Sequence, residues 1–127
     1  MTPAPPFESG GRRGTAVSIA PSVLLARIDA GAAPAVLDVR SGWEFARGHV
    51  PGALHVPFWK IGARVSAIPA SAEDDVVVYC GHGPRAWIAA AALRRLGFPR
   101  VTLLAGHWRG WRRARLRIET EHRGRSS

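Results

Sequence analysis

The chain has 127 residues, 46% of them hydrophobic, enough for one domain with its own core. Its 18 Lys and Arg against 9 Asp and Glu give a formal net charge of +9, which draws anions, acidic partners or nucleic acid without choosing among them. Pro and Gly punctuate apolar runs instead of filling a biased tract, which excludes overall disorder, and no segment approaches the roughly 20 apolar residues of a spanning helix.

The first residues, Met1 to Gly14, contain Pro, Gly, Glu8, Arg12 and Arg13 without the apolar centre of a secretory leader. A cytoplasmic protein is expected, with no membrane partner and a flexible segment over 1–15. The expected domain spans 16–119. Val17 to Ile19 reads as a buried strand, and Pro21 opens a helix with Leu24, Leu25 and Ile28 on one face. Strands follow at Val36 to Val39 and Ala53 to Val56, then a helical repeat at Ile61, Val65 and Ile68. A strand at Val76 to Tyr79 leads to a helix from about Ala86 to Leu96, whose inner face is expected to carry Ile88, Ala89, Ala92, Leu93 and Leu96. Gly97 and Pro99 stop that helix before a fifth strand at Val101 to Leu104. The strands are continuous apolar runs, as in sheets covered on both faces, so the fold class is α/β: a small three-layer domain with a five-stranded, mainly parallel sheet. The basic stretch Arg109 to Arg125 is interrupted by Glu119 and Glu121 and lacks zinc, aromatic-platform or helix-turn-helix signatures, which argues against nucleic acid. Residues 120–127 read as a polar tail.

The chemistry concentrates at one strand end. Cys80, the only cysteine, follows Val76 to Tyr79 directly and is followed by Gly81-His82-Gly83-Pro84-Arg85 and then a helix. No internal disulfide is possible and no second thiol is present. Ligands collect at the carboxyl ends of parallel strands. There Gly81 and Gly83 permit torsions that turn peptide N–H groups inward, the helix N-terminus adds partial positive charge, and Arg85 adds a forked cation. Pro84 has no N–H to give and stiffens the start of the helix. Such surroundings favour a nucleophilic thiolate. The competing reading of a lone cysteine is an inert core residue, but that needs neither two glycines nor an arginine in the next five positions.

The motifs Leu37-Asp38-Val39-Arg40, Glu44-Phe45, Gly48-His49-Val50-Pro51-Gly52-Ala53, Val78-Tyr79-Cys80 with Gly83 and Arg85, Leu104-Ala105-Gly106 and Trp111 together resemble the rhodanese family. The resemblance spans about Val17 to Ile118. It implies a sulfurtransferase: Cys80 takes sulfane sulfur from a small anionic donor such as thiosulfate, or from a persulfide, and passes it to cyanide or a thiol. A sulfur-relay protein is a further partner of that kind, and no metal or organic cofactor is implied. Gly81, His82, Gly83 and Arg85 are the expected substrate-binding residues, and Asp38, Arg40 and His49 the expected supporting ones.

Asp38 is expected to orient backbone or arginine donors, Arg40 to pair with Glu44, and His49 to tie its glycine- and proline-rich turn together. His82 either tunes the thiolate or faces solvent. Phe58, Trp59 and Trp87 are candidate walls of an acceptor pocket, and Trp111 matches the family's core tryptophan. His107 departs from the pattern, standing where the family commonly has a second glycine after Gly106. Two other readings compete. One is a weakly active or inactive module that binds a protein partner through the arginine-rich end. The other is a phosphatase or arsenate reductase, which the four-residue spacing between Cys80 and Arg85 disfavours, since those relatives use a loop one residue longer.

Overall fold

A computed structural model describes residues 17–121. The expected flexible segment 1–15 and the end of the tail, 122–127, lie outside the described residues. The strands are β1 (Val17–Ile19), β2 (Ala35–Asp38), β3 (Leu54–His55), β4 (Val76–Tyr79) and β5 (Val101–Leu104), and all their pairings are parallel, in the order β1-β5-β4-β2-β3. The fold is therefore the expected α/β sheet. Three of the five strands have the expected bounds; β2 begins and ends one residue earlier and β3 shrinks to two residues.

Both sheet faces are covered, which is why the strands read as unbroken apolar runs. Side chains alternate along β4: Val76 and Val78 face one core with Leu37 and Leu103, whereas Val77 and Tyr79 face another with Ile19, Leu24 and Trp111. Cys80 continues the first set. On the Cys80 side lie α3 (Ile61–Arg64), a single turn between two short 3₁₀ turns, and α4 (Pro84–Arg95). Ile61 and Ile68 are buried there and Val65 packs against the same core, so the expected repeat marks one face although its helix is broken. On the other side α1 (Pro21–Asp29) buries Leu24, with Leu25 and Ile28 packed beside it.

Helix α4 corrects the expected face. It buries Ala86, Ala89, Ala90 and Leu93, spaced at i, i+3, i+4 and i+7, while Ile88 and Leu96 are 55% and 43% exposed. Small alanines let the helix axis approach the sheet closely, and the bulkier residues that dominate a hydrophobicity pattern are left outside.

Two helices were not anticipated. Helix α2 (Gly42–Arg47) starts with a capping box, in which the Ser41 hydroxyl accepts from the Glu44 amide while a Glu44 carboxylate oxygen accepts from the Ser41 amide. Helix α5 (His107–Arg113) follows β5 through Gly106 at φ 76, where a side chain would meet Gly110 Cα at 2.9 Å. After α5 the chain runs across the second core with Leu116 and Ile118, and Glu119 bridges back to His49. Glu121 N–H donates to Ala46 O, so the last described residue is still tied to α2.

Candidate active site

The site forms at the carboxyl ends of β2, β4 and β5. Cys80 leaves β4 with no exposed surface, and its sulfur accepts the Gly83 N–H at 3.0 Å. Gly83 sits at φ 142, a backbone conformation open mainly to glycine, and immediately precedes α4. The turn that brings this amide back over the sulfur therefore requires glycine, and it places the thiol at the positive end of a 12-residue helix. Gly81 serves differently. Its backbone is ordinary, but a Cβ there would lie 3.1 Å from Arg85 Nη2, so it makes room for the arginine instead of bending the chain.

Arg85 folds across Gly81 onto Glu44, donating from Nη1 to Oε1 at 2.8 Å and from Nη2 to Oε2 at 3.3 Å. The fork holds the Glu44 carboxyl down at about 2, aided by the Ser41 contacts against the opposing effect of burial. The same bonds raise Arg85 above its ordinary value. Glu44 is thus the partner of Arg85 and not of Arg40, which corrects the expected pairing. The capping-box spacing of Ser41 and Glu44 was the available signal, because it fixes that carboxylate at the start of α2, beside the end of β2.

Arg40 instead pairs with Asp38, and both are buried. Asp38 accepts from Arg40 N–H, Nε and Nη2 and from the Tyr79 hydroxyl at 2.7 Å. Tyr79 in turn accepts the Val50 N–H, and Arg40 Nη2 donates to Gly48 O. The guanidinium also lies 4.6 Å from the Trp108 ring centroid. Burial beside Asp38 pushes the Tyr79 hydroxyl far above its usual range, so it remains a donor. Asp38 and Arg40 reach Cys80 indirectly, through its chain neighbour Tyr79 and through Trp108, whose N–H donates to Cys80 O at 2.9 Å.

His49 lies in its turn with Nδ1 2.7 Å from Phe45 O, its ring stacked on Phe45. His82 is exposed on the loop. Phe58 packs against the Cys80-side core, while Trp59 and Trp87 stand more than half exposed. Trp111 is fully buried. His107, nearly buried, brings Nδ1 to 3.3 Å from the Cys80 N–H. Burial and the neighbouring His82 lower its pKa. Among the described residues no group of three or more His, Cys, Asp and Glu is placed to hold a metal ion, and no helix is long and apolar enough to cross a membrane.

The rhodanese-like domain family matches residues 20–114. The chain belongs to this family. Among curated relatives of this rhodanese-like chain, a sulfurtransferase of Allochromatium vinosum is 40% identical over 83 residues, covering 65% of this chain and 76% of that protein. The thiosulfate sulfurtransferase GlpE of Actinobacillus pleuropneumoniae is 33% identical over 85 residues, covering 67% and 77%. A putative sulfur carrier protein, YrkF of Bacillus subtilis, is 27% identical, and the chain spans 45% of its length. Among solved structures, the Alr3790 protein of Anabaena superposes with a TM-score of 0.74 at 28% identity, covering 85% of this chain and 86% of that one.

Proposed function

We propose that this rhodanese-like protein is a sulfurtransferase that carries sulfane sulfur on Cys80. The observation that carries the reading is the lone thiol at the end of β4, with the Gly83 amide donating to its sulfur at the start of α4. An amide donating to the sulfur beside a helix N-terminus offsets the negative charge of the outer sulfur after transfer. The named activities of the Allochromatium and Actinobacillus relatives support the same chemistry.

In the first half-reaction the Cys80 thiolate attacks the outer sulfur of thiosulfate, the donor S–S bond breaks, and sulfite leaves with the electron pair. Cys80 is left as a persulfide. In the second, cyanide or an acceptor thiolate attacks the terminal sulfur, the Cys80 Sγ–S bond breaks, and the thiolate returns. No resolving cysteine is needed, because the acceptor itself discharges the enzyme. The Arg85–Glu44 fork holds a cation over Gly81, and the Gly81, His82, Gly83 and Arg85 loop forms the donor-facing wall. Since Cys80 has no exposed surface, a donor reaches the sulfur by displacing part of that loop. Small anions suit this access, and the relationship to a putative sulfur carrier supports a protein thiol or persulfide as an exchange partner.

Cys80→Ser should abolish transfer from thiosulfate to cyanide and leave the circular dichroism spectrum unchanged. Mass spectrometry of the wild-type chain after incubation with thiosulfate should show a gain of one sulfur at Cys80. Transfer that survives the substitution, or no adduct with any common donor, overturns the reading and leaves a binding module.

A further inference from the structure

The β4–β5 ladder ends at the pairing of Val78 with Leu103. Beyond it Ala105 N–H turns to Ile19 O, and the chain bends at Gly106 into α5. The Cys80 N–H, one step past the last rung, has lost the neighbouring strand and is buried. A side chain replaces the missing acceptor: His107 Nδ1 stands 3.3 Å from it. The next residue completes the grip, since Trp108 N–H donates to Cys80 O at 2.9 Å. Both polar backbone groups of the cysteine are therefore held by consecutive residues of α5, while its sulfur accepts the Gly83 N–H.

His107 adopts φ 53, a left-handed conformation uncommon for a residue with a side chain. Glycine would occupy it without strain, so a retained imidazole calls for a gain elsewhere. With Nδ1 accepting, the neutral ring carries its proton on Nε2. That atom lies on the Gly83 side of the loop, 3.9 Å from where a Gly83 Cβ would stand. The ring thus borders both Cys80 and Gly83, the two residues joined by the N–H···S contact. Burial and His82 lower its pKa, which keeps the accepting form in place at neutral pH.

We propose that His107 is a positioning residue for sulfur transfer: its imidazole accepts the Cys80 N–H and fixes the cysteine backbone so that Sγ stays beneath the Gly83 amide. The role rests on the sulfurtransferase reading, and its experiment separates the two. His107→Gly relieves the backbone and removes the acceptor. His107→Asn tolerates the same φ and restores an oxygen at the position of Nδ1. The two variants and the wild type are compared by turnover with thiosulfate and cyanide, and by amide hydrogen exchange at Cys80 in ¹⁵N-labelled protein. The glycine variant should remain folded, turn over about three- to tenfold more slowly, the range for one lost hydrogen bond, and exchange the Cys80 amide faster. The asparagine variant should recover most of both.

Unchanged turnover or unchanged exchange in His107→Gly, or an asparagine variant no nearer the wild type than the glycine one, overturns the assignment. A wild-type chain that accepts no sulfur overturns the sulfurtransferase reading and with it the transfer role. The exchange arm then still decides whether His107 holds the Cys80 backbone.

Discussion

At the scale of single residues, the site depends on who pairs with whom. The family resemblance pairs Glu44 with Arg40, beside the cysteine loop. Arg40 is nevertheless taken by Asp38, two residues earlier and on the same strand end, where Arg40 N–H, Nε and Nη2 all converge on one carboxylate. Glu44 is thereby free to hold Arg85. Because its folded pKa of about 2 lies below the ordinary 4.5, the stability from this pair is fully present above pH 4.5 and fades as pH falls through about 2. Glu44→Gln should thus be less stable than wild type at neutral pH, and the difference should shrink steadily on acidification below 4.5, as followed by urea unfolding at a series of pH values. A constant difference would show that the loss comes from packing and not from the ionised pair. Cys80 and Arg85 were legible in the sequence because glycines and an arginine crowd one strand end. The roles of Tyr79 and His107 were not, since each depends on a contact across the sheet, Tyr79 with Asp38 41 positions away and His107 with Cys80 27 positions away.

At the scale of elements, α4 shows how local pattern and tertiary packing diverge. Its inner face is alanine-rich, so the axis lies close to β4 and β5 and leaves no room for larger groups. Ala90→Leu should cost about 1–3 kcal/mol through overpacking. Ile88→Ala, on the outer face, should change stability by no more than about 0.5 kcal/mol. Chemical unfolding of the two variants checks both, and a reversed order would restore the face read from hydrophobicity. The strands were legible because two-sided burial leaves continuous β-branched runs in the sequence. Helices α2 and α5, at six and seven residues, are too short to establish a period, and their ends are set by the Ser41 capping box and the turn at Gly106.

At the scale of the molecule, the family match stops at residue 114 while the packing continues to 121. Leu116 and Ile118 lie against the second core, Trp111 Nε1 donates to Arg117 O, and the His49 and Glu119 backbones exchange two hydrogen bonds of 2.9 Å. Deleting residues 115–127 should therefore cost about 2–4 kcal/mol from the two apolar side chains alone and lower the melting temperature. An unchanged melting curve would show that the segment merely lies on the surface. At one edge of the sheet, β3 is only two residues long. So brief a border offers a neighbouring molecule almost no backbone to zip onto, which blunts the sheet's tendency to template fibrils. Clumping during storage should then track the fraction of opened chains and be suppressed by whatever keeps them shut.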